Sequence, residues 1–246
     1  MRQYDVLTLF PGFFQGPLSE SILKRAQQHG IVRIAVHDLR SYAHDRHAVV
    51  DDRPYGGGAG MVLKPEPILD AVASLRRGQE PHLVLLTPQG RPFKQAVAKE
   101  LVEHQHLLLI CGRYEGFDER VRALLTPDEI SIGDYVLTGG ELPALVLLDA
   151  VIRLIPGVLG DEDSARYDSF VDTLLDFPHY TRPQSVQGLI VPDVLLSGDH
   201  ERIRRWRRKE ALRATKARRP DLLQQALLSE EDLELLEEID GEQGVG

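Results

Sequence analysis

The chain has 246 residues, 42% hydrophobic and 27% charged, which leaves room for one large α/β domain, or for one of about 150 residues and a smaller one. Its single cysteine, Cys111, excludes an internal disulfide and any multi-cysteine zinc or iron–sulfur site, and fits a reducing compartment. The net charge of −9 comes entirely from the tail: residues 221–246 hold nine acidic and no basic side chains, so the first 220 sum to zero, and screening confines each charge to about 10 Å.

Arg2, Asp5 and Pro11 interrupt the first apolar run, so no secretory leader is expected. Residues 4–10 read as a buried strand ended by Pro11-Gly12, and 18–29 have helical spacing with Ser19 as a candidate cap. A second strand covers 31–37. Residues 41–52 are polar; His44 and His47 lack the companions of a metal site, and the segment reads as a solvated or RNA-facing loop. The four glycines of 52–60 fit neither a P-loop nor GxGxxG, and leave a mobile substrate loop or a plain surface loop.

From residue 65 the pattern alternates: helix 65–76, strand 83–87, helix 94–104, strand 107–111, helix 118–125, strand 129–132 and helix 141–155. Alternation of this kind predicts an α/β fold with a mostly parallel sheet. The apolar segment 142–156 carries Asp149 and Arg153 and is too short to span a bilayer; a cytoplasmic protein without a membrane partner is expected. Three glycine-containing bends follow apolar runs, at 87–90, 112–116 and 132–143. Ligands of open α/β sheets lie beyond the carboxyl ends of strands, so these bends are expected to form one pocket. Residues 161–173 have linker composition, which divides the chain into domains at 1–160 and 174–246.

Standard catalytic signatures are missing: there is no GxSxG elbow, no Walker lysine, and Phe117 stands where a phosphatase loop needs arginine after Cys111. Cys111 ends an apolar strand and reads as a buried, inert thiol. Residues 201–220 carry ten Arg or Lys against two Glu, around Trp206. With so few acidic partners at i+4, this helix is expected to face RNA, and the acidic run after it to be a solvated helix. These features leave a transferase, an RNA-binding module and a nucleotide hydrolase in contention.

Seven stretches taken together decide among them. They are residues 51–58 (DDRPYGGG), 88–90 (PQG), 111–116 (CGRYEG), 132–143 (IGDYVLTGGELP), 156–160 (PGVLG), 178–183 (PHYTRP) and 195–198 (LLSG). In this order and spacing the chain closely resembles the bacterial tRNA (guanine-N1)-methyltransferases that modify guanosine 37, which are SPOUT-type enzymes. The resemblance implies a trefoil-knotted α/β domain with the cofactor site in the knot and a small helical tRNA-binding domain behind it. It also implies S-adenosylmethionine as methyl donor, tRNA as substrate, a homodimer with composite active sites, and a magnesium requirement for which no ligand cluster is evident.

By the same resemblance, donor-binding positions are Leu85, Thr87, Pro88, Gly112, Tyr114, Glu115, Ile132, Gly133, Asp134, Tyr135, Val136, Leu137, Gly139, Gly140 and Pro143. Leu85 replaces an aromatic residue of some members, which leaves it a role in shape. The Gly139-Gly140 turn is expected to need unusual backbone angles. Guanine N1 carries a proton at neutral pH, so its methylation needs a base and a cation near O6. The resemblance assigns these roles to Asp168 and Arg153.

Overall fold

The computed structural model describes residues 1–76, 80–160 and 168–243, which fall into two compact units, Met1–Gly160 and Asp161–Gly246. The expected linker at 161–173 lies partly on residues 161–167, outside the described residues.

The first unit is built on β1 (Arg2–Thr8), α1 (Gln15–Leu18), α2 (Ser21–Gln28), β2 (Val32–Asp38), the short β3 (Asp51–Asp52) and β4 (Val62–Leu63), α3 (Pro65–Leu75), β5 (His82–Pro92), α4 (Gln95–Leu101), β6 (His106–Cys111), α5 (Glu119–Leu125), β7 (Asp128–Ser131) and α6 (Glu141–Ile152). Five strands form a parallel sheet in the order β2-β1-β6-β5-β7. Alternate side chains of each central strand enter opposite cores, as the two-residue period of a strand requires. Val84, Leu86 and Leu109 pack with α2, α4 and α6, while Leu83, Leu85 and Leu108 pack with α3 and α5. Both faces being covered explains why these strands are continuous apolar runs. Asp5 is the exception inside β1: burial pushes its carboxyl up, but hydrogen bonds from His37, Gln3 and His106 hold it below the usual range.

Two local expectations need correction. Ser19 does not start the helix; α2 begins at Ser21 after Glu20, and Ser19 instead ends α1, its hydroxyl donating back to Gly16 O at 2.8 Å. The bend at 87–90 does not end β5. Pairing with β7 breaks after Leu86–Ile130 and resumes at Arg91–Ile130, so the bend is an irregularity inside an eleven-residue strand. Gly90 permits the return, since a Cβ there would lie 2.3 Å from Ile130 N.

The second unit carries the short antiparallel pair β8 (Ser185–Val186) and β9 (Leu189–Ile190), then α7 (His200–Arg218), α8 (Pro220–Leu223) and α9 (Glu230–Gln243). Asp199 caps α7 by accepting from Arg202 N at 3.1 Å. Leu212 of α7 meets Leu235 and Ile239 of α9 and Leu174 in a small core. Among the described residues no helix is long and apolar enough to cross a membrane.

Candidate functional site

The loops after β6 and β7 and the bend inside the neighbouring β5 enclose one cleft of about 370 Å³, within the size range of small-molecule sites. Thr87 and Pro88 come from β5, residues 112–117 from the loop after β6, and residues 132–140 from the loop after β7. The last two loops are pressed together. Gly140 N donates to Gly112 O at 2.9 Å, and a Cβ on Gly140 would lie 2.7 Å from Cys111 Cα and 2.9 Å from Gly112 N. Gly140 has φ −82° and ψ −2°, which any residue adopts, so the expectation of unusual angles fails here. Space, not torsion, requires glycine at 140.

A buried carboxylate fixes this junction from below. Glu141, the first residue of α6, accepts from Thr8 Oγ1 at 2.8 Å, and Arg113 Nη1 lies 3.6 Å from its other oxygen. A helix start favours a negative charge. The Arg113 guanidinium also covers the Phe10 ring at 4.5 Å. Burial, together with the Glu141 charge, raises the Cys111 thiol well above its usual range, so it is an inert end of β6. On the opposite wall Arg122 donates to Glu129 at 2.9 Å and Glu119 at 2.8 Å and points Nη2 at Thr87 Oγ1, 3.4 Å away. The cleft therefore offers backbone donors and acceptors, two tyrosines, the Glu115 carboxylate and two guanidinium groups that already have partners.

The family model described as tRNA (Guanine-1)-methyltransferase TrmD matches residues 1–225. The chain belongs to the tRNA (guanine-1)-methyltransferase family. It is similar to the tRNA (guanine-N(1)-)-methyltransferase of Dictyoglomus turgidum, 59% identical over 97% of each chain. Those of Dehalococcoides mccartyi strain 195, at 59% over 96% of each chain, and Moorella thermoacetica, at 56% over 98% of this chain and 97% of the relative, bear the same name.

Of the donor positions expected for this methyltransferase family, thirteen line the cleft: Thr87, Pro88, Gly112, Tyr114, Glu115, Ile132, Gly133, Tyr135, Val136, Leu137, Gly139, Gly140 and Pro143. Leu85 and Asp134 do not. Leu85 is wholly buried in the α3–α5 core, one strand turn below the opening, and Asp134 is exposed on the loop. Arg113, Arg122 and Thr138 also line the cleft; Arg113 and Thr138 fall within two of the expected bends, but no local sequence signal singles out Arg122, which sits on a helix and reaches the site only through packing. Arg153 is half-buried at the end of α6, outside the cleft lining, and Asp168 is the first described residue of the second unit. His44, weighed as a metal ligand, lies 2.6 Å from Asp70. Among the described residues no group of three or more His, Cys, Asp or Glu is placed to hold a metal ion.

The second unit corrects the reading of its charges. The acidic helix α9 is not solvated all round; it lies along α7 and pairs with it. Arg204 reaches Glu231 at 2.7 Å, Arg205 Glu238 at 2.5 Å, Arg208 Asp232 at 2.6 Å, Lys209 both Glu238 and Glu242 at 2.7 Å, and Arg213 Glu242 at 2.7 Å. Lys216 pairs with Asp240. Asp232 is buried, and it also accepts from Ser229 N at 2.9 Å while Asp232 N donates to Ser229 Oγ at 3.2 Å, a reciprocal cap at the start of α9. The Arg208 guanidinium lowers the Asp232 carboxyl to about 2. Counting i+4 partners inside α7 could not reveal carboxylates supplied by another helix.

Proposed function

We propose that this protein transfers a methyl group from S-adenosylmethionine to N1 of guanosine 37 in tRNA. The observation that carries the reading is the glycine-floored cleft between the bend of β5 and the carboxyl ends of β6 and β7, where Gly140 is held against Gly112. A cradle that a single Cβ would fill suits a ligand bound by backbone groups, and adenine and ribose present edges suited to such contacts. The family membership and the names of the relatives support the reaction and the RNA substrate. The return of residues 133–140 against 111–113 supports the knotted class that the resemblance implies.

The donor supplies an electrophilic methyl group on a sulfonium. In our reading Asp168 takes the proton from guanine N1, the N1 electron pair forms the new N–CH₃ bond, and the electrons of the broken S–CH₃ bond stay on sulfur. Arg153 holds the negative charge that grows on O6. Homodimerisation with composite sites, Asp168 coming from the second subunit, is supported by α6. That helix is apolar apart from the buried Glu141 and the exposed Asp149, close to the pattern of a helix enclosed by protein, yet Leu142 and Val146, one turn apart, are 48% and 45% exposed. We assign no ligands to magnesium. The test is transfer of labelled methyl to a tRNA transcript, with a second transcript whose guanosine 37 is replaced. Equal labelling of both transcripts would refute the site assignment; no labelling of either would refute the activity.

A further inference from the structure

Between 221 and 246 lie nine carboxylates and no cation, most of them on α9, Glu230–Gln243. The carboxylates of α9 meet the cations of α7 in a row. Three glutamates, Glu231, Glu238 and Glu242, hold Arg204, Arg205, Lys209 and Arg213; Arg204 and Arg213 are held as well by Glu201 and Glu210 of α7 itself, whereas the carboxylate partners of Arg205 and Lys209 all come from α9. The row is not buried: Glu231, Glu238 and Glu242 are 32%, 43% and 51% exposed, so a strand of RNA could reach these cations if the glutamates let them go. The helix that carries the glutamates is held in place by what lies beneath: Leu212, Leu235 and Ile239 are wholly buried between the helices, and Asp232 is bonded to Arg208. Each exposed pair alone is weak, but a glutamate that turns aside stays beside the row, so an incoming phosphate competes with carboxylates that cannot leave.

We propose that α9 is an internal polyanion that determines RNA specificity, occupying the cationic row of α7 so that phosphates cannot bind there without regard to sequence. Among the described residues, Arg202, Arg207 and Arg218 are the α7 cations left without a carboxylate partner. Arg207 lies instead over the Phe177 ring at 5.0 Å. The helix that looks most like an RNA-binding stripe is thus largely withheld from RNA, and the charge open to tRNA is confined to its unpaired positions. A cation already held by a carboxylate gains little from a phosphate, because its charge is already neutralised and the displaced carboxylate would stay beside the RNA, so little net phosphate charge is neutralised and few of the RNA's own counterions are released. The inference rests on the RNA-substrate reading; failure of that reading would appear separately, as an unmodified chain that binds no tRNA.

The experiment uses the full chain with Glu231, Glu238 and Glu242 all changed to Gln, which keeps Asp232 and the leucines. Binding is measured against a 20-nucleotide polyuridine strand and a tRNA transcript over a range of salt. Polyuridine affinity at low salt should rise tenfold or more, its salt slope should steepen by roughly 1 to 3 at about 0.7 per phosphate engaged, and polyuridine should begin to inhibit tRNA methylation. A folded triple variant with an unchanged polyuridine slope would overturn the proposal. A second variant decides the matter even if the first does not fold: Lys209→Gln with Arg213→Gln removes two masked cations, so the salt slope for tRNA should stay as it is. A flattened slope there would mean that RNA reaches these cations despite α9, and the proposal would fall.

Discussion

Position 140 shows how little volume the cleft can spare. The atoms a Cβ would meet, Cys111 Cα and Gly112 N, are backbone at the end of a central strand, and backbone in a sheet cannot rotate aside as a side chain can. Gly140→Ala is therefore expected to push the 133–140 loop off Gly112, to weaken S-adenosylmethionine binding and to slow methyl transfer by on the order of 100-fold, the rate cost of a misplacement of about 1 Å. Calorimetry reads the affinity and a thermal melt confirms the fold; a folded variant with normal affinity would remove this loop from the donor site. Asp168→Asn makes a different demand. It keeps the size of the side chain and removes its ability to take a proton, so both substrates should bind while methyl transfer falls by roughly 100-fold or more. Single-turnover kinetics separates the two effects, and a chemical step near the unmodified rate would return Asp168 to an ordinary surface carboxylate.

At the scale of elements, the pairing of α7 with α9 makes the stability of the second unit depend on acid. Asp232 is lowered to about 2 by Arg208, from about 3.9 in an unfolded chain. A carboxyl lowered in the folded state contributes its stability fully above the unfolded value and loses it as pH falls through the folded one, here between about pH 4 and pH 2. The contribution is on the order of 2 kcal/mol. Urea titrations of the chain followed by Trp206 fluorescence should show it vanish over that window, and Asp232→Asn should flatten the dependence; equal pH profiles for the two would show that the pair is not linked to folding. The same helices mark where sequence reading stops. The strands around Leu85 and Leu109 are legible because apolar runs bounded by glycine have one physical explanation in a covered sheet. Of the thirteen cleft residues, ten lie on the loops after β6 and β7, Thr87 and Pro88 in the bend inside β5 and Pro143 on α6; glycine bends after apolar runs marked the pocket, and the family resemblance named its residues. Arg122, whose guanidinium arrives from α5, was not legible, nor was the partnering of Arg204 or Lys209, since nothing within four residues of either records which helix lies opposite.

Across the whole molecule the two proposed halves of the chemistry stand on different units: Gly140 in the first and Asp168 in the second. If the second subunit supplies Asp168, complementation between defective chains can be counted. Gly140→Ala and Asp168→Asn should each be inactive as pure homodimers. Co-expressed in equal amounts and pairing at random, about half of the dimers are mixed, and each mixed dimer joins one intact cleft to one intact Asp168 while its other site carries both defects. Active sites then number about a quarter of those in the unmodified protein, and roughly a quarter of its activity should return. A site completed within one chain behaves otherwise, because every cleft in the mixture then has either a blocked floor or no base. Mixed dimers purified by two different affinity tags settle it by direct assay: activity near half that of the unmodified dimer establishes catalysis across the interface, and inactivity of folded mixed dimers excludes it, whatever the exposed Leu142 and Val146 of α6 contact.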